Sequence, residues 1–274
     1  ARYAFRRHFY QHAGFRYIAS DAQIDTPDDR YETDPEVIPY CELNYGKDYF
    51  GVENYPEKLA QIALNHAQGR PKKKALNIGC KTGRSTFELA VEFQHVSGVD
   101  FTARMIRIGV ELKEKGYTQY ELPEEGEIVS FHQQNLQELG LDASRQKVDF
   151  MQADISNMKS LFRGYDLILL DTMLESAYNP QKFLDSVHER LNAKGLLIIA
   201  SNYDWKKERT EREHWLGGFK IDGENATTLD RLQDLLGDRF TQIAEPIEIE
   251  QVIRRTKRSF EHNAIQVTVW ELKE

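Results

Sequence analysis

The chain of 274 residues carries 36 basic and 44 acidic side chains, and its formal charge of −8 repels a nucleic-acid polyanion unless basic residues gather on one face. Its 40% hydrophobic and 11% aromatic residues suffice for one main core, and no apolar run approaches the ~20 residues of a membrane helix. Cys41 and Cys80, far apart and outside any C-x-x-C spacing, give neither a disulfide framework nor a zinc signature, which fits a reducing cytoplasm.

The opening ARYAFRRHFYQHAGFRYIAS is basic and aromatic, lacks an initiator methionine and the apolar core of a signal peptide, and reads as cut from something longer. His8 and His12 stand at four-residue spacing without a nearby carboxylate or third ligand, so no metal site is expected. The acidic, proline-containing stretch 21–34 reads as a linker. From Pro35 to about Gln68 the spacing of Val37, Ile38, Tyr40 and Leu43, then Leu59, Ile62 and Ala63, predicts helices. NYGKDYFGVENYP interrupts them, aromatic and glycine-bearing, a candidate binding loop.

Beyond RPKKK the pattern alternates. Short apolar runs bounded by turn residues predict strands at 74–79, 95–100, 147–153, 165–171 and 195–201. Helices are expected at 83–93, 102–115 and 180–191, the last with Pro180 in its first turn. This alternation implies a parallel sheet wound on both faces, an α/β fold. TTLDRLQDLLG reads as a further helix, and FTQIAEPIEIEQVI and NAIQVTVWEL as two long antiparallel strands at the sheet edge, seven strands in all.

In such a sheet the ligand lies outside the carboxyl ends of the strands, at the first strand-to-helix turn. Gly79, Cys80 and Gly83 form that turn. A dinucleotide fingerprint laid on Gly79 also needs glycine at positions 81 and 84, which hold Lys81 and Arg84, and the G-K-[ST] ending of a P-loop is missing. The first fact argues against NAD and FAD, the second against a P-loop. Asp100 ends the second strand, followed by Phe101, where a carboxylate accepts from both hydroxyls of an unphosphorylated ribose. Asp154 and Ile155 follow the third strand, suited to the amino group and face of an adenine. Ribose and adenine without phosphate point to S-adenosylmethionine. Turn-making by the glycines and helix capping by the aspartates are the competing structural explanations.

The ordered set of G-x-x-x-G, an acid after the second strand, D-[ILV] after the third and LNAKGLLII before the fifth resembles the class I S-adenosylmethionine-dependent methyltransferases, a Rossmann-like family. Asn77 stands where many members carry an acid. Longer stretches, YETDPEVIPYCELNYG, FGVENYP, GRSTFELA, GVDFTARMI, YNPQKFL and SNYDW, are similar to the C-terminal methyltransferase domain of the ovothiol-biosynthesis enzymes. The resemblance implies N-methylation of the imidazole of 5-thiohistidine, also called 4-mercaptohistidine, to ovothiol A. It further implies fusion to a preceding iron-dependent sulfoxide synthase, whose last stretch residues 1–16 resemble, with residues 1–30 the tail of that domain plus linker and 31–274 the methyltransferase domain. Thr172 and Glu175 stand where Asn and Asp are expected, and Asn202 where Pro is expected.

Transfer from a sulfonium needs chiefly an aligned nucleophile, and an imidazole attacks only through an unprotonated nitrogen. Asp171, Glu175 and Tyr203, at the ends of the fourth and fifth strands, are the candidate catalytic residues. Asn202, Trp205, Arg84 and Arg212 are candidates for substrate contact, the arginines toward a carboxylate and the aromatics toward the flat ring and sulfonium. Tyr45, Tyr49, Phe50, Asn54 and Tyr55 are the candidate lid. Other readings share the architecture: a methyltransferase acting on another small amine, heteroaromatic nitrogen or thiol, a non-catalytic S-adenosylmethionine-binding module, and an NAD-dependent oxidoreductase.

Overall fold

The computed structural model describes residues 31–274. The expected tail of a preceding unit, with His8 and His12, lies outside the described residues. Two helices open the described chain, α1 (Ile38–Tyr45) and α2 (Tyr55–His66). Asn54 caps α2 by accepting from the Glu57 backbone N–H at 3.1 Å, and proline in the first turn needs no donor there.

The alternating core follows: β1 (Lys74–Ile78), α3 (Arg84–Leu89), β2 (His95–Asp100) and α4 (Ala103–Lys115). Gly116 in left-handed conformation, φ +83°, ends α4. An antiparallel hairpin, β3 (Tyr117–Glu125) and β4 (Ile128–Asn135), stands outside the main sheet. The chain then returns through β5 (Val148–Gln152), β6 (Tyr165–Asp171), α5 (Pro180–Ser186) and β7 (Leu191–Ser201). A small hairpin, β8 (Phe219–Ile221) and β9 (Glu224–Ala226), precedes α6 (Thr228–Leu236), and β10 (Phe240–Gln242), β11 (Ile247–Arg254) and β12 (Phe260–Leu272) complete the sheet.

The sheet runs β10-β12-β7-β6-β1-β2-β5, with β11 also on β12. β5, β2, β1, β6 and β7 are mutually parallel, and β12 is antiparallel to β7. The expected seven strands become eight in this sheet because the stretch predicted as one edge strand divides into β10 and β11. Both halves pair with β12, and Pro246, which has no N–H for a ladder, lies in the gap. The helix expected over 180–191 stops at Ser186, and β7 begins at Leu191 rather than 195.

Period-two alternation divides the apolar side chains between two cores. Ala75, Leu167, Leu169, Leu196 and Ile198 face the core that includes α1, α2 and α3 residues. Leu76, Ile78, Ile168, Leu170, Leu197 and Ile199 face the one that includes Phe183 and Leu184 of α5 and Leu232 and Leu236 of α6. Strands covered on both faces are continuously apolar, which is why β1, β6 and β7 carry runs such as LILL and LLIIA. The order reverses at β1, flanked by β2 on one side and β6 on the other, and the crevice opens at their carboxyl ends.

Candidate active site

The turn after β1 holds Gly79 with φ +79°, where an added Cβ would lie 2.4 Å from the Asp171 carbonyl oxygen, so only glycine fits. Lys81, next but one, also takes a left-handed φ of +51°, a conformation that costs an L side chain ~1–2 kcal/mol. Thr172 after β6 and Tyr203 after β7 do the same at +49° and +54°. Three such non-glycine residues at neighbouring strand ends mark the place where the fold bears local strain.

A cleft of about 650 Å³ opens there. Asp100, Phe101, Glu175 and Asn202 line it, joined by Lys81, Thr172, Met173 and Arg209, by Gln251, Glu261 and Asn263 of β11 and β12, and by Arg255 from the turn between those strands. A second chamber of about 310 Å³ shares Phe101, Met173, Ser176 and Arg209 with the first and adds Asp154, Ile155 and Tyr178.

Asp100 is buried and accepts from the Lys81 backbone N–H at 3.0 Å and from that of Thr102 at 2.9 Å, one on each oxygen. Asp154 accepts from the Ser156 backbone N–H at 2.8 Å, the capping expected as the alternative explanation of this residue. Lys81 Nζ reaches Asp171 Oδ2 at 3.0 Å and donates to Thr172 Oγ1 at 3.0 Å. Burial opposes its charge, yet the Asp171 carboxylate beside it holds the ammonium above its ordinary pKa. Tyr55 donates to the other Asp171 oxygen at 2.5 Å, and burial together with that carboxylate pushes its phenol well up. Glu175 sits in a single 3-10 turn (Leu174–Ser176), buried. Its Oε1 accepts from the Ser201 hydroxyl and, at 2.8 Å, from the Tyr203 backbone N–H, while Oε2 has no partner among the described residues. The Tyr203 phenol, raised by burial and by Glu175, donates to Gln266 at 2.9 Å. Cys80 is buried with its thiol pushed up, unsuited to act as a nucleophile.

Several side chains expected at the ligand serve the scaffold instead. Arg84 is buried and forked between Glu88 at 2.6 Å and Glu57 at 2.9 Å. Trp205 packs in the core, its Nε1 donating to Thr228 at 2.8 Å, and Arg212 lies over the Phe219 ring. In the expected lid, Tyr45 is buried with its hydroxyl on the Thr82 carbonyl, Asn54 is the α2 cap, and Tyr49 donates to the Glu42 carboxylate. Phe50 is exposed and meets Phe260 edge-on. None of these seven lines the main cleft. Asp171, expected as a catalytic residue, does not line the cleft and pairs with Lys81, which does. Lys81, Arg209, Gln251 and Asn263 line the cleft with little in the sequence pattern to mark them; Lys81 alone carries a signal, a bulky side chain where the fingerprint calls for glycine.

A family model described as a methyltransferase domain matches residues 70–245, from just before β1 to just after β10. The chain belongs to the S-adenosylmethionine-dependent methyltransferase domains. This methyltransferase is 24% identical over 196 residues to the probable S-adenosylmethionine-dependent methyltransferase CRG1 of Saccharomyces cerevisiae, a match covering 69% of this chain. The match spans 61% of that relative's length. Among solved structures, N-methyltransferase NodS from Bradyrhizobium japonicum WM9, in complex with S-adenosyl-L-homocysteine, aligns with a TM-score of 0.53 at 14% identity over 88% of this chain and all (100%) of that one. A protein solved in work on converting a disulfide bond into a thioacetal group during echinomycin biosynthesis aligns with a TM-score of 0.50 at 17% identity, over 78% and 80% of the two chains. Both likenesses are of fold.

The residues fit the cofactor of such domains. A buried carboxylate has about four acceptor positions, and Asp100 spends two on backbone N–H groups, leaving capacity for a pair of hydroxyls. The second chamber combines the flat ring of Phe101 and the aliphatic side chain of Ile155 with the Asp154 carboxylate. At the strand ends Asp100, Asp171 and Glu175 outnumber Lys81, an acidic floor suited to a cationic ligand.

Proposed function

We propose that this methyltransferase N-methylates the imidazole of 5-thiohistidine, forming ovothiol A. Glu175 carries the reading: a buried carboxylate whose Oε1 is held by the chain and whose Oε2 has no partner among the described residues, in a side chain that lines the cleft. Five cationic side chains (Lys81, Arg104, Lys206, Arg209, Arg255) and five carboxylates (Glu36, Asp100, Glu175, Asp204, Glu261) line the same cleft, a balance that suits a small zwitterion better than a polyanion or an apolar acceptor. The stretches resembling ovothiol-forming methyltransferases supply the identity of the ring.

Asp100 holds the cofactor ribose, and Phe101, Asp154 and Ile155 its adenine. S-adenosylmethionine supplies a methyl group already activated on a sulfonium. The chain's task is then the nucleophile: Glu175 Oε2 accepts the N–H of one ring nitrogen, fixing the tautomer whose other nitrogen keeps its lone pair. The same carboxylate offsets the positive charge the ring gains on methylation. Arg209, whose guanidinium has no partner among the described residues, meets the amino-acid carboxylate at the boundary of the two chambers. In this reading the enzyme is cytoplasmic, residues 1–30 end a fused sulfoxide synthase, and 31–274 form the methyltransferase domain. Two buried unpaired cysteines agree with a reducing compartment, and no helix among the described residues is long and apolar enough to cross a membrane.

The test is a mass-spectrometric assay of purified protein with S-adenosylmethionine and 5-thiohistidine, beside histidine and a thiol-only control. A gain of one methyl on thiohistidine alone supports the reading. Methylation of histidine or of the thiol control in its place moves the acceptor elsewhere, and cofactor binding without any transfer makes the domain a binding module.

A further inference from the structure

At the carboxyl ends of β1 and β6 a primary ammonium stands in a cage of oxygens. Lys81 Nζ lies 3.0 Å from Asp171 Oδ2 and 3.0 Å from Thr172 Oγ1, with the carbonyl oxygens of Gly79 and Asp171 at 3.3 and 3.4 Å. An ammonium has three N–H donors, so its hydrogen-bonding capacity is spent within the chain. Tyr55 pins the other oxygen of Asp171, which fixes that wall of the cage. The cage belongs to the cleft, since Lys81 and Thr172 both line it.

Both residues adopt left-handed backbone, at φ +51° and +49°, where an L side chain is disfavoured. Glycine at position 81 would relax the turn, and lysine stands there in spite of it. Side chains held in such conformations concentrate where a ligand is bound or a step is controlled.

We propose that Lys81 is a specificity-determining residue of this methyltransferase: its ammonium fills the cage as an internal ligand, and a bound molecule reaches those oxygens only by bringing a primary ammonium of its own. The inference rests on S-adenosylmethionine as cofactor. The cofactor and its product S-adenosylhomocysteine each carry one primary ammonium at the amino-acid end, and either exchanges cation for cation, so Asp171 keeps a positive partner throughout. Lys81, on a flexible four-carbon stem, moves its charge into the cleft. A nucleoside that ends at its sulfur has no ammonium to offer and leaves Lys81 in place. The lysine therefore selects against the cofactor's truncated breakdown products less sharply than an empty cage would, because every amino-acid ligand must first evict it.

Calorimetric titration with S-adenosylhomocysteine and with 5′-methylthioadenosine, on the wild type, Lys81→Gly and Lys81→Met, tests this. Glycine suits the left-handed backbone, and methionine keeps a long stem without the charge. Each variant leaves the cage unfilled, so S-adenosylhomocysteine is expected to bind about tenfold more tightly or better, the scale of one charge-assisted hydrogen bond no longer surrendered. Affinity for 5′-methylthioadenosine is expected to stay at its wild-type value, which also shows that the variants are folded. Weaker binding of S-adenosylhomocysteine with unchanged 5′-methylthioadenosine overturns the proposal, because Lys81 then stays in place and grips the carboxylate. Equal changes for both ligands, or no change for either, overturn it as well. A folded wild type that binds neither ligand removes the cofactor reading itself, and the inference with it.

Discussion

Tyr55 of α2 donates to the Asp171 carboxylate at the end of β6 at 2.5 Å, joining positions 116 apart in the chain. Through Asp171 the hydroxyl reaches Lys81 in the glycine turn, so a helix before the sheet, the first strand's turn and the fourth parallel strand's end share one buried chain of polar groups. Tyr55→Phe keeps the ring in its core position and removes one donor from a buried carboxylate. Unfolding free energy from urea titration is expected to fall by about 1–3 kcal/mol, the cost of leaving such an acceptor short of a partner. An unchanged midpoint would mean that solvent replaces the phenol at no cost, and that the chain of contacts does not stabilise the turn.

A second long-range tie gives a pH prediction. Glu124 in β3 meets Arg254 of β11 at 2.6 Å and accepts from Ser130 at 2.8 Å, fastening the β3–β4 hairpin to the sheet edge. The Ser130 hydroxyl and the Arg254 guanidinium hold its carboxyl down to about 2 from its ordinary 4.5. A carboxyl whose pKa is lowered on folding stabilises the fold above its unfolded value and loses that contribution as pH falls toward the folded one. The melting-temperature difference between wild type and Glu124→Gln is therefore expected to be constant from neutral pH to about 5 and to shrink between about 4.5 and 2. A difference that persists at pH 2 would assign the effect to packing.

The parallel strands were legible because both faces of β1, β6 and β7 are covered, so each is an apolar run closed by a turn residue. Hairpin β3–β4 was not: YTQYELPEEGEIVSFHQQN buries only alternate side chains of its first strand, and glutamates and glutamines dilute the alternation. Asp100, Phe101 and Glu175 could be placed at the cleft, and Asp154 at the second chamber, because strand ends in this architecture are ligand-facing by topology. Arg84, Trp205 and Arg212 fell elsewhere because a side chain's partner is chosen by tertiary neighbours: Glu57 is 27 positions from Arg84, and Thr228 is 23 from Trp205. Gln251 and Asn263 stayed hidden for the same reason, since they reach the cleft through the pairing of β11 with β12 and of β12 with β7.

Asp100→Asn and Asp100→Ala separate ribose recognition from support of the turn. Asparagine keeps an acceptor for a backbone N–H but no longer offers two anionic oxygens, and alanine leaves the N–H groups of Lys81 and Thr102 without their present partner. Calorimetric affinity for S-adenosylhomocysteine is expected to weaken by about 1–3 kcal/mol in Asp100→Ala, with Asp100→Asn between it and wild type. Unchanged affinity in both would remove the ribose assignment.

Glu175→Gln addresses the chemistry. The variant's Oε1 still accepts from the Ser201 hydroxyl and the Tyr203 backbone N–H, so the turn and the strained Tyr203 keep their support. At the other position an amide donor replaces the carboxylate oxygen, and a donor facing a ring N–H repels it and favours the opposite tautomer. With 5-thiohistidine as acceptor, kcat is expected to fall by about a hundredfold, the lower range for loss of a positioned acid–base group, while S-adenosylhomocysteine affinity and melting temperature stay near wild type. A rise in KM at constant kcat would make Glu175 a binding contact equal in ground and transition states. Loss of melting temperature together with both kinetic constants would make it a support for the β7 end, and the acceptor of the ring N–H would then have to be sought among the other carboxylates of the cleft.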